Sequence, residues 1–487
     1  MKTGHQKSHG AILFILLAVF STPDLTHGVE LGIGDHYFEL SGFIGTGTSV
    51  RVTDPGDLSI GFDTWERPSL VGQANKARLS LYSTHPRDIS TQVTLDFLYT
   101  SEPRRPFDDR GEVRLDEAYV DFMWKDTDIR FGLQKVIWGK SDLISPFDVL
   151  TSRDLMDPFL FPTLEDRIAQ PGVRVNLSRG DYNIETVFFP VWLRSRIPLA
   201  ETDDGATTRA DEWFPSRAIY AAEAALLEDP NLAWLIFIPT YLPLEEPDND
   251  LSTAGFGVKV NTLKGEYDLE FYMLSTMDPM PTGDITTVFA QGTIPDLGLY
   301  DPGLLITVEG NAEFTRVTTF GAAASRTLGP FALRSEMAIL AGKQYFRLFD
   351  PAQADEALNE MQIYGIGTAR GEPKSHTEFM WITGADYEIP GLLLLTSSQL
   401  AVTKRFSHED FYTQAATEVD MTFLIQKGFQ DDYLMVGLAG TAGFVSKAAW
   451  ISPWMSYTLP TYEDLQLGAR FNVFAGDDFS KFGMYSD

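Results

Sequence analysis

The sequence predicts an all-β fold: a transmembrane antiparallel β-barrel of roughly 16 to 18 strands, with a long loop folded into or over the lumen. Three observations predict it. The chain opens on an export-type leader, it alternates apolar and polar residues from Tyr37 to near its end, and its connections alternate between long and short.

The leader comes first. Lys2 and Lys7 form a basic start, Ala11 to Phe20 an unbroken apolar run, and Thr26-His27-Gly28 a small-residue cleavage site, so residues 1–28 read as a secretory signal peptide. The barrel then occupies 29–487, beginning near Val29. A membrane anchor needs roughly 18 to 20 apolar residues, and the run ends at Ser21-Thr22-Pro23-Asp24. Beyond the leader no apolar stretch is long enough for a membrane helix, and mean hydropathy is −0.10. A barrel strand shows lipid one face and water the other, which dilutes hydropathy in this way. Cysteine is absent, so the fold is closed by packing and hydrogen bonds rather than disulfides. With 38 basic residues against 68 acidic ones the chain repels nucleic acid. Aromatics at 13% suit interfacial girdles, although a soluble β-sandwich shares that signal.

The strands follow. Leu465, Leu467, Ala469, Phe471 and Val473 alternate with Gln466, Gly468, Arg470 and Asn472, and Val419 to Ile425 and Leu269 to Met273 split the same way. Strands are expected at about 37–52, 75–84, 91–100, 114–124, 128–138, 172–178 and 182–192. After a long segment they resume at about 252–261, 267–275, 313–327, 331–341, 376–388, 392–404, 416–427, 432–445, 448–459 and 463–475. Tight turns such as Lys125-Asp126-Thr127 and Gly329-Pro330 belong on the periplasmic side, and long segments such as 139–171 and 193–251 on the outer side. A sandwich has no reason to sort its loops by parity. This makes roughly seventeen strands, an odd number where single-chain bacterial barrels use an even one. Either a closing strand is absent or one strand is misassigned within 276–312. The only helix candidate is 206–227.

Segment 139–171 is the best functional candidate. Loops of about thirty residues without structure are uncommon in compact proteins, and Leu143, Ile144, Phe147, Leu150, Leu155 and Phe159 are too apolar to be left in water. Folded inward, the segment constricts the pore, and Trp138, Lys140, Asp142, Asp148, Arg153, Asp154, Asp157 and Arg167 either line the passage or brace the loop against the wall. Alternation turns Arg78, Asp96, Glu117, Asp121, Arg130, Gln134, Arg174 and Glu185 inward. Cross-strand pairs are expected between Arg78 and Asp96 and between Arg130 and Glu117, each contributing a few tenths to about 1 kcal/mol. Trp124, Trp138, Trp192, Trp381, Trp450 and Trp454 sit near strand ends, where interfacial anchoring is expected, with solute stacking as the alternative for Trp138. Acidic groups at Asp203-Asp204, Glu245-Glu246 and Asp248 to Asp250 lack the ordered spacing of a calcium loop. No nucleophile elbow, zinc motif or phosphate loop occurs, so no catalytic residue, metal or cofactor is expected.

Between Ala118 and Asp166 the motifs are distinctive: Ala118-Tyr119-Val120-Asp121, Phe131-Gly132-Leu133-Gln134-Lys135-Val136-Ile137-Trp138-Gly139-Lys140, Pro146-Phe147-Asp148 and Arg153-Asp154-Leu155-Met156-Asp157-Pro158-Phe159. They resemble a large family of proteobacterial outer-membrane proteins of unknown function, similar in pattern to porins and alginate-export barrels. The resemblance covers residues 115–192 tightly and the rest loosely, through Pro171-Gly172-Val173-Arg174 and Phe482-Gly483-Met484-Tyr485. In that family a further strand ending in an aromatic residue typically follows, which by resemblance favours a truncated carboxyl end here. The resemblance implies residence in the outer membrane, with outer-membrane lipids, lipopolysaccharide and a small-molecule solute as partners. The expected function is a channel or transporter passing small, apolar or aromatic solutes by diffusion. The competing readings are a secreted or surface β-protein that binds glycans or acts as a scaffold, and a lipid-active barrel enzyme, which the missing nucleophile motif disfavours.

Overall fold

A computed structural model describes residues 14–19, 29–51, 57–60, 63–66, 70–86, 88–100, 111–141, 144–155, 167–196, 200–203, 207–210, 236–239, 247–294, 299–345, 351–364, 366–408, 414–460 and 462–476. Its main element is one 19-stranded sheet. Eighteen of these strands close a ring: β1 (Phe14–Val19), β2 (His36–Arg51), β3 (Leu70–His85), β4 (Ile89–Thr100), β5 (Gly111–Trp124), β6 (Thr127–Gln134), β7 (Gln170–Arg179), β8 (Tyr182–Phe189), β9 (Gly255–Lys264), β10 (Tyr267–Met277), β11 (Arg316–Leu328), β12 (Phe331–Lys343), β13 (His376–Ile389), β14 (Leu394–Phe406), β15 (Thr417–Phe429), β16 (Leu434–Gly443), β17 (Ala448–Leu459) and β18 (Tyr462–Ala475). Every neighbouring pair in the ring is antiparallel. Closure gives each strand two neighbours for its backbone donors and acceptors, the condition for crossing lipid with strands.

The seventeen expected strands are β2 to β18. The eighteenth does not come from 276–312. It is β1, an apolar run within the residues read as a leader, which pairs on one side with β18 (Leu16 opposite Arg470) and on the other with β2 (Leu16 opposite Ser49). The short strand Val29–Ile33 continues along the same edge of β2, opposite residues 36–40. The parity problem is therefore met by residues read as signal peptide, because β2 and β18 run the same way and only a strand antiparallel to both fits between them.

Segment 276–312 supplies strands of a separate sheet, in which Thr282–Ile294 lies between Leu299–Glu313 and Ile366–Gly371, with Ile236–Pro239 parallel to Leu299–Glu313. A helix, α1 (Pro351–Tyr364), packs on this sheet, and the sequence reading misses it. Proline at its first position and a run of Ala, Glu, Leu and Met favour the helix. Among its described side chains the buried ones are Ala357 and Met361, one turn apart, too narrow to register as a stripe. Of the helix candidate 206–227, Thr207–Ala210 forms a strand paired with Ala200–Asp203, and residues 211–227 lie outside the described residues.

Alternation sorts the ring as the pattern demands. Leu79, Leu81, Phe97, Val113, Phe131, Phe271, Met337, Ile339, Ile451 and Leu467 are exposed on the outside, the arrangement of a barrel whose outer face is apolar. Asp96, Gln134, Glu336, Glu378, Gln399 and Asn472 are buried inside. One irregularity matters: between β4 and β5 the register shifts, so that Thr94 faces Glu117 but Leu95 faces Leu115. The bulge turns Asp116 inward and flips the parity of β5 on either side of it.

Candidate functional site

The described residues of the segment between β6 and β7, 135–141, 144–155 and 167–169, lie inside the ring. β6 ends at Gln134 rather than near 138, because the Lys135 amide donates 3.0 Å to the Glu117 carboxylate instead of continuing the ladder. Released from the wall, the chain crosses to β12. There Glu336, fully buried, accepts hydrogen bonds from the amide of Lys140, the amide of Ser141 (2.6 Å) and the hydroxyl of Ser145 (2.7 Å). A carboxylate accepting from three donors is a charge-assisted anchor.

Apolar packing fixes the same segment. Val136, Trp138, Phe147 and Leu150 form one buried cluster with Val187 and Phe189 of β8, Tyr272 and Leu274 of β10, Val317 and Ala323 of β11, and Ala338 and Leu340 of β12. Phe147 stacks on Tyr272 with ring centroids 3.9 Å apart. Two wall glycines leave room for the aromatic rings. A Cβ on Gly257 would sit 2.7 Å from the Trp138 ring, and one on Gly321 would sit 2.6 Å from Phe147. We therefore expect Gly257→Ala, which meets no backbone atom there, to unseat Trp138 and destabilise the barrel by about 1–3 kcal/mol. A lowered midpoint for loss of heat-sensitive gel mobility is the readout, and an unchanged midpoint would refute the seating.

The predicted constriction residues fall into groups. Trp138 is 2% exposed and donates 2.8 Å to Glu185, with Lys259 5.5 Å over its ring, so it offers neither an interfacial anchor nor a stacking surface. Lys140 reaches Asp268 at 2.5 Å and Glu270 at 3.3 Å on β10. Asp148 receives Arg153 at 3.0 Å and also Arg167, which ties the apolar stretch around Phe147 to the returning end of the segment. Asp154 receives Arg114 of β5 at 2.7 Å and Arg196 at 3.1 Å. Asp142 and Asp157 lie outside the described residues.

On the wall, Arg78 grips Asp96 with both ends of its fork at 2.7 and 2.8 Å, the expected pair. The expected pairing of Arg130 with Glu117 does not form. Register places Arg130 opposite Asp121, which it holds at 2.7 and 2.8 Å, while Glu117 takes the Lys135 amide. Glu185 pairs with Lys259 at 3.0 Å as well as with Trp138. Arg174 lies on β7 opposite Arg130.

Sequence reasoning misses Lys76, Asp116, Lys135 and Glu336. Lys76 joins Asp96 at 3.3 Å, and Lys135 joins Asp116 at 2.7 Å. A strict period of two hides Asp116, which only the bulge turns inward. Glu336 carries a signal: it is a lone carboxylate at an inward position between Arg334 and the inward Ala338 and Leu340.

The other tryptophans divide. Trp124 is 68% exposed beside a turn, as an interfacial anchor should be, and Trp381 also faces outward, whereas Trp192 is buried against Met277 and Phe314. Trp450 bonds Asn472 at 3.0 Å, and Trp454 lies half-buried over Gly437. Of the acidic groups, Asp250 caps its own turn. Hydrogen bonds from Ser252 hold its carboxyl below the usual range.

A model of the family described as protein of unknown function, DUF1302, matches residues 83–345. The chain belongs to this family. The matched span runs from the end of β3 past β12 and so takes in both the inserted segment and its Glu336 anchor. No curated protein matches the sequence. Among solved structures, OmpF of Salmonella typhi in complex with daunomycin is similar, with TM-score 0.40 and 8% identity over 92% of this chain and 99% of that one. OccK8 (OprE) of Pseudomonas aeruginosa gives 0.42 and 9% over 96% and 97%. An anion-selective porin from Comamonas acidovorans gives 0.36 and 9% over 96% and 98%.

Proposed function

We propose that the protein is an outer-membrane channel through which small polar or charged solutes diffuse. The observation that carries this reading is the inserted segment, anchored on Glu336 inside a closed ring whose outer face is apolar and whose inner face is charged. A loop of this kind leaves a passage and sets its width. Of the apolar residues in the segment, Phe147, Val149 and Leu150 pack into the wall cluster and so are not offered to the lumen. The lumen face of the strands outside that cluster is polar, with Lys76, Asp96, Gln399, Thr403, Arg405, Thr441, Ser452 and Asn472 along it. Passive diffusion through such a lumen needs no cofactor.

The test is purification in detergent followed by incorporation into a planar bilayer in potassium chloride. Stepwise ohmic conductance is expected, from a protein that fractionates with outer membranes and migrates differently when unheated. Recovery as a soluble periplasmic protein, or a folded protein without conductance, would overturn the reading.

A further inference from the structure

Arg130 and Arg174 stand directly opposite one another on β6 and β7, on the lumen face that also carries the buried Gln134 and Gln170. Like charges placed opposite across a ladder are destabilising unless something lies between them. Arg78, Arg114, Arg334 and Arg405 each hold a carboxylate 2.7 Å away. Arg174 has neither a carboxylate nor a hydrogen-bond partner among the described residues, and it is only partly buried. Its neighbour is half satisfied. Asp121 occupies Nε and Nη2 of Arg130, leaving Nη1 unbonded, and the Arg130 guanidinium lies 3.6 Å over the Tyr119 ring.

We propose that Arg130 and Arg174 form a subsite for a monocarboxylate solute. It rests on the channel reading, to which it adds a solute class. With Asp121 gripped by Arg130 and the Glu117 carboxylate also acting on Arg130, the two guanidiniums keep at most one uncompensated positive charge, which suits a monoanion better than a doubly charged phosphate. A carboxylate presents two coplanar acceptors, one for the Arg174 fork and one for Nη1 of Arg130. Arg130 is already held by its ion pair and by the ring beneath it, so it loses little freedom when the ligand arrives. The bound carboxylate also relieves the repulsion between the two cations.

The probe is benzoate, with benzamide as its neutral counterpart and inorganic phosphate as the competing anion. Titration calorimetry on the detergent-folded protein is run beside bilayer recordings. Saturable benzoate binding is expected, with benzamide and phosphate weaker. Arg174→Gln should weaken benzoate by about tenfold. Arg174→Lys should recover part of the loss, since charge returns without the fork. Arg326→Gln removes a cation at a short turn, paired with Glu266 at 2.5 Å, and should bind benzoate like the parent. In the bilayer, benzoate should block potassium chloride current in the parent more than in Arg174→Gln. Equal affinities in the parent and in both folded Arg174 variants, or no saturable binding to the parent, overturns the subsite. A protein that binds benzoate through Arg174 but carries no current overturns the channel reading and leaves the subsite standing; conduction without Arg174-dependent binding does the reverse.

Discussion

Deleting residues 144–166 should raise single-channel conductance by about two- to fourfold, because a loop inside a barrel sets its narrowest cross-section. Insertion should survive. The cut leaves β6 and β7 paired from Gln134 opposite Gln170 down to the turn at Lys125-Asp126, so the ring keeps its ladder. It also leaves Lys140 and Ser141 on Glu336 while removing Phe147, Leu150 and the Asp148 ion pairs. Arg153→Ala should act more mildly. Asp148, one of its partners, lies within the same segment, so the expected effect is a lower unfolding temperature with little change in ion selectivity. An open channel whose conductance is unchanged by the deletion would place the segment away from the passage.

Glu336→Ala should have the largest effect of any single substitution. It orphans two backbone amides and a hydroxyl that the wall carboxylate now satisfies, and it releases the segment at its crossing point. Losing a buried charge-assisted acceptor of this kind costs about 3–5 kcal/mol. The readouts are a fall in the heat-unfolding midpoint, faster proteolysis within 144–166, and bursts of open-channel noise as the segment moves. Glu336→Gln, which keeps one carbonyl acceptor, should lie between. Variant channels as quiet and as protease-resistant as the parent would show that the apolar cluster alone holds the loop.

The ring was legible because its signal is local. Each of β2 to β18 announces itself by alternation and a turn, and neither needs knowledge of the partner strand. The inward folding of 139–171 was legible for a related reason: Phe147 and Leu150 are apolar in a stretch with no strand pattern, so a wall had to receive them. Two kinds of information were not local. Which wall receives the loop depends on Glu336, about two hundred residues away, and on gaps at Gly257 and Gly321 that look like ordinary strand glycines. The partner of Arg130 depends on register: Asp121 and Glu117 are both inward carboxylates on β5, and only the pairing of Arg130 with Asp121 decides between them. The closing position was beyond the pattern altogether, since Phe14–Val19 is apolar throughout and reads as a leader, not an alternating strand.

The crossing of the segment from β6 to β12 is, in geometric terms, a chord drawn across a circle, spanning six of the ring's eighteen strand positions. A chord divides a disc unequally. The smaller part, bounded by β7 to β11, is filled with Val187, Phe189, Tyr272, Leu274 and Val317. At the height of this crossing a diffusing solute would use the larger part, off the axis, bounded by β13 to β18 and β1 to β5, whereas Arg130 and Arg174 lie further down the ladder, between the crossing at Gln134 and the turn at Lys125-Asp126. The area of the larger part depends mainly on how far the chord stands from the far wall, and only weakly on the perimeter. A side chain enlarged on the filled side, at Ala323 or Ala338 for instance, pushes the chord outward and narrows a passage it never touches.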